Sequence, residues 1–95
     1  MSGVMVVKQR VASVQRWNSV FREPELDAVR RRHGLVVTGT YLDGDDPDTV
    51  IVLMDMADID LARQFAGSTE LATARERAGA VGFPDGVWYG PREVE

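Results

Sequence analysis

His33 is the only histidine in a chain of 95 residues, so it is the one side chain expected to titrate near neutrality unassisted and the default general base. It follows Arg30, Arg31 and Arg32 and precedes Gly34, where a helix should end. There an imidazole and guanidinium groups also serve last-turn carbonyls and the negative end of the helix dipole. The other polar groups near apolar segments are hydrogen-bond donors. Gln9 and Tyr41, at the ends of two apolar runs, could with His33 stabilise an enolate oxygen, which makes these three the expected catalytic set. Alternation with Val7 and Val37 assigns Gln9 and Tyr41 to the helix-facing side of a sheet. Trp17 and Phe21 lie one helical turn apart, and Phe65 comes from a later helix, so three aromatics could wall a flat apolar ligand. Met54 and Trp88, from strands, complete the expected substrate-binding set.

Other chemistries are poorly served. The absence of cysteine excludes disulfides, thiolate metal sites and thiol catalysis. Asp43, Asp45, Asp46 and Asp48 superficially resemble a calcium loop. However, Gly44 takes the second position instead of the sixth, Pro47 intrudes, and Met54 stands where the bidentate glutamate belongs. These residues read as a solvated hairpin turn. No glycine pattern follows a strand and opens a helix, and no nucleophile elbow accompanies Ser13, Ser19 or Ser68. The expectation is therefore no metal and no organic cofactor. A formal charge of −4 is opposite to the footprint that phosphate backbones demand, so nucleic acid is not an expected partner. The longest apolar runs, Val4 to Val7 and Val50 to Met54, fall far below a membrane span of ~18 residues, and the N-terminus has no signal-peptide core. A cytoplasmic protein without a membrane partner is expected.

The elements that must position these residues follow from periodicity. Val4 to Val11 reads as a first strand. Ser13 caps a helix in which Val14, Trp17, Val20, Phe21, Ala28 and Val29 recur at helical spacing, and Pro24 must break it near Glu23 into two pieces. Leu35 to Leu42 and Thr49 to Met56 form a hairpin. Asp58 caps a helix that Gly67 interrupts, Ser68 caps its continuation to Gly79, and Gly86 to Tyr89 make a fourth strand. The order β-α-β-β-α-β predicts one α+β domain over residues 1–95, ferredoxin-like, with a four-stranded antiparallel sheet and helices on one face. The first and third strands, which that fold places centrally, are apolar on both faces. Something must cover the second face, and another copy of the chain is the simplest candidate.

The segments VASVQRW from Val11, HGL from His33, DGDDPDTVIVLMDMAD from Asp43, FAGSTEL from Phe65 and AGAVGFP from Ala78, together with Phe21, resemble the small dimeric α+β-barrel proteins. Within that superfamily the chain is similar to the antibiotic-biosynthesis-monooxygenase-like and polyketide-cyclase-like members. The resemblance implies a homodimer whose sheets face each other, and a ligand cavity in each protomer between the sheet and its own helices. Such proteins often carry His and Asp where this chain has Gln9 and Ser13, and an amide does not titrate in the useful range. The expected function is a cofactor-independent enzyme that cyclises or oxygenates a polyketide-like or polycyclic aromatic substrate. The alternative is a noncatalytic dimeric module for small-molecule binding or assembly.

Overall fold

A computed structural model of the chain describes residues 3–93. Met1, Ser2, Val94 and Glu95, included in the expected domain span, lie outside the described residues. The elements run β1 (Gly3–Arg10), α1 (Val14–Phe21), α2 (Pro24–Arg32), β2 (Leu35–Asp43), β3 (Asp46–Met56), α3 (Ile59–Ala66), α4 (Thr69–Ala78) and β4 (Gly86–Pro91).

Local chemistry accounts for the helix ends. The Ser13 hydroxyl accepts from the Arg16 N–H at 3.2 Å and opens α1. Pro24 stands in the first turn of α2, where a missing N–H costs nothing, and it holds Glu23 in extended backbone, so the helix must stop and restart. The second break is built from different residues. Gly67 ends α3, and the Ser68 hydroxyl donates to the Phe65 carbonyl at 2.7 Å while accepting from the Leu71 N–H at 3.1 Å. One Asp58 carboxylate oxygen caps α3 by accepting from the Asp60 and Leu61 N–H groups. Gly79 closes α4 in the left-handed region at φ +80°, a conformation that disfavours side chains.

The sheet is fully antiparallel in the order β2-β3-β1-β4, so β1 and β3 are central as expected. Met5, Val50, Val52, Met54 and Met56 are buried on one face against Trp17, Val20, Leu26, Val29, Phe65 and Ala74 of the helices. Each large apolar side chain so buried contributes about 1.5–3 kcal/mol. None of the helices among the described residues is long and apolar enough to cross a membrane.

One irregularity changes which residues face the core. In β2, Val37 pairs with Met54 but Gly39 pairs with Leu53, so Thr38 is an extra residue in the ladder. A bulge of this kind shifts alternation by one. Thr40, opposite Val52, takes the helix-facing place, and Tyr41, opposite Ile51, turns to the outer face. The expectation that Tyr41 faces the helices is corrected accordingly.

Candidate functional site

Between the sheet and the helices lies a cavity of about 670 Å³. Its floor is apolar, formed by Met5, Val7, Val52, Met54 and Val87. Trp17 and Phe21 wall it from α1 as a stacked pair, with ring centroids 3.9 Å apart and planes 10° from parallel. Phe65 and Leu71 close it from α3 and α4, and Arg22 and Pro24 border it where the first helical region breaks. Phe83 lines the cavity yet is 90% exposed, which places it at the mouth beside Pro84.

Few polar groups enter this lining. Gln9 is fully buried, and its amide is committed to protein partners. Nε2 donates to the Arg10 carbonyl at 2.7 Å and the Val81 carbonyl at 3.2 Å, while Oε1 accepts from Arg75 Nη2 at 2.8 Å. The same Arg75 nitrogen donates to the Gly82 carbonyl at 2.8 Å. Gln9 and Arg75 thus pin the loop after α4 to the end of β1. On the opposite side, Arg30 is buried and its Nη2 donates to the Phe21 carbonyl at 2.7 Å, satisfying the end of α1. Among the described residues Asp27 is the one carboxylate of the lining. A 2.7 Å hydrogen bond from Arg31 holds it below the usual carboxylate range, with the Arg31 and Arg30 charges adding to the effect. Asn18 and Thr40 complete the polar lining.

The structure brings Gln9, Trp17, Phe21, Met54 and Phe65 together around this cavity and leaves His33, Tyr41 and Trp88 outside it. His33 caps the end of α2, its Nδ1 2.8 Å from the Val29 carbonyl and its ring tilted against Phe65. Trp88 pairs with Val6 on the outer face, more than half exposed, with its indole lying across Gly86. Tyr41 lies likewise across Gly39, where an added Cβ would meet its hydroxyl at 2.6 Å.

No family model and no curated protein matches the chain. Solved structures do match along nearly its whole length. A proposed antibiotic biosynthesis monooxygenase from Bordetella bronchiseptica superposes with a TM-score of 0.73 at 13% identity, covering 98% of each chain. The fold is that of the antibiotic-biosynthesis-monooxygenase-like proteins. A proposed member from Caulobacter crescentus CB15 gives a TM-score of 0.68 at 20% identity, covering 99% of this chain and 91% of the other. SnoaB of Streptomyces nogalater, a cofactor-independent oxygenase solved as a mutant, gives 0.62 at 17% identity, covering 92% and 90%. Identities this low speak to the fold alone, and the chemistry has to be argued from the cavity.

Within this monooxygenase-like fold the lining contains residues that hydropathy passes over. Asn18, Asp27, Arg30, Thr40 and Arg75 all border the cavity. A signal for Arg30 was available, since it stands four residues after Leu26 and next to Val29 on the apolar stripe of α2. Its membership of the Arg30–Arg32 run masked that position. Arg75 carried no comparable signal, because its partners, Gln9 and Gly82, come from β1 and from the loop after α4.

Proposed function

We propose that the chain is a small cytoplasmic, cofactor-independent enzyme that oxygenates or cyclises a polyketide-like or polycyclic aromatic substrate in this cavity. The observation that carries the reading is the aromatic-walled cleft of about 670 Å³, within the range of small-molecule sites. The fold supports it, since SnoaB, a cofactor-independent oxygenase, shares that fold.

The lining supplies donors more readily than bases. Its only carboxylate among the described residues, Asp27, is already engaged by Arg31 and is a weak base, and the Gln9 amide does not titrate. The reaction must therefore draw on a substrate that ionises or reacts readily by itself. The protein's part is to strip water from that substrate, hold it in a near-attack conformer between Trp17 and Met54, and stabilise developing negative charge on its oxygen. The test is incubation of the purified protein in air with a polycyclic ketone such as an anthrone, following oxygen uptake and product mass. Turnover above the uncatalysed rate supports oxygenation. A second reading, a noncatalytic binding module, is favoured by the saturation of Gln9 and the exclusion of His33, and it predicts tight binding of such compounds without turnover.

In this reading a second copy of the chain covers the outer sheet face. Val4, Val36, Tyr41 and Trp88 are exposed there, and they flank half-buried Val6, Ile51 and Leu53 on the central strands. Apolar side chains exposed on an uncovered sheet face favour association.

A further inference from the structure

The cavity is positively charged within an acidic protein. Its charged lining residues are Arg22, Arg30, Arg75 and Asp27, in a chain whose formal net charge is −4. Asp27 is turned toward Arg31, which bonds it at 2.7 Å, while Arg30 Nη2 stands 3.7 Å away. Arg30 is only 4% exposed, and its Nε, like that of Arg75, is buried without a hydrogen-bond partner among the described residues. Burial opposes its charge more than Asp27 supports it. A buried guanidinium is costly unless acceptors surround it. Apolar rings lie close by, since Arg30 holds the carbonyl of Phe21, whose ring stacks on Trp17.

We propose that Arg30 is the anion anchor of the cavity, so that the ligand is an aromatic or polycyclic acid whose carboxylate or ionised enol oxygen accepts from the Arg30 guanidinium. The backbone bond to Phe21 fixes the guanidinium at the border of the cavity, and planar donors of this type suit carboxylate oxygens. The flat body of the ligand then lies against Trp17 and Phe21. This inference rests on the proposed ligand cavity and narrows its ligand to anions.

The experiment compares two probes of nearly the same shape, anionic 9-anthracenecarboxylate and neutral 9-anthracenecarboxamide, titrated into the protein at neutral pH by calorimetry. A charge-assisted hydrogen bond in a buried site predicts that the acid binds about 10- to 100-fold more tightly than the amide. In Arg30→Met that preference should fall to within about 3-fold. Arg30→Lys, which keeps the charge without the planar guanidinium, should retain an intermediate preference and stands in if the Met variant does not fold. Equal binding of both probes to the wild type overturns the inference while leaving the cavity reading intact. So does a preference that survives Arg30→Met or is lost only in Arg75→Met. Failure of both probes to bind overturns the cavity reading, and this inference with it.

Discussion

On the helix side of the sheet, Met5, Val50, Val52 and Met54 are buried beneath the helices, and a cavity remains beside Met5, Val52 and Met54. One residue along the same strands, Val4, Val6, Ile51 and Leu53 face outward and are left exposed or half-buried. The two sets are almost equally apolar, so composition does not separate them. What differs is coverage. Two broken helical regions roof the inner face incompletely, while the outer face has no helix at all. The inner face therefore retains a cavity, and the outer face, with Tyr41 and Trp88 lying across Gly39 and Gly86, leaves apolar side chains exposed.

The sharpest way to break this contrast is Trp17→Ala. Trp17 is 2% exposed and stacked on Phe21, so its truncation should cost about 3–5 kcal/mol in denaturant unfolding even though it walls the cavity. A loss near ~1 kcal/mol would show that the roof of the cavity is loosely packed.

Leu53→Lys tests the other face. The wild type should sediment at micromolar concentration at about twice 10.5 kDa, and the variant should shift toward 10.5 kDa with the helix-side core retained. A monomeric wild type would refute the covered-face proposal, although the cavity would stand.

Gln9→Leu should destabilise by about 1–3 kcal/mol, because it strands the Val81 carbonyl and removes one acceptor of Arg75. A gain in stability would mean that the loop after α4 does not depend on this amide. A smaller loss, about 1 kcal/mol, is expected for Asp58→Ala, which leaves the Asp60 and Leu61 N–H groups uncapped at the start of α3.

The smallest effects come from surface charge. Asp43 is held below the usual carboxylate range first by the Asp45 N–H and then by Lys8, Glu23 by Arg77, and Asp46 first by the Thr49 hydroxyl. Folded pKa values lower than unfolded ones give stability that is present above about pH 4 and lost as pH falls through the folded values. Lys8, raised first by its bond to Asp43, contributes below about pH 10 and loses that contribution as pH rises through its folded value. Thermal unfolding should therefore be flat near neutrality and decline below about pH 4, with amplitudes reduced by salt. A melting temperature that rose on acidification through that range would contradict these pairings.

Much of the architecture was legible because its causes are local. Ser13, Asp58 and Ser68 cap helices through N–H groups two or three residues away, and Pro24 and Gly67 interrupt helices by their own backbone chemistry. Apolar alternation in β1 and β3 was sufficient for the strands and for their two-sided character. The same local periodicity placed Trp17, Phe21 and Phe65 on inward helix faces, and all three line the cavity.

Tertiary structure alone decided the rest, because the deciding groups meet across long stretches of chain. The extra residue at Thr38 exists only relative to Leu53 and Met54 of the paired strand, and it alone sends Tyr41 outward and Thr40 inward. Whether Gln9 was free to touch a ligand depended on Arg75, Val81 and Gly82, brought to it by the return of α4 and its following loop. The burial of Arg30 beneath the end of α1 likewise depends on how α2 packs after the break at Pro24. Hydropathy along the chain determines which residues leave water, but the volume left between them, and the charge at its edge, are properties of how the elements pack.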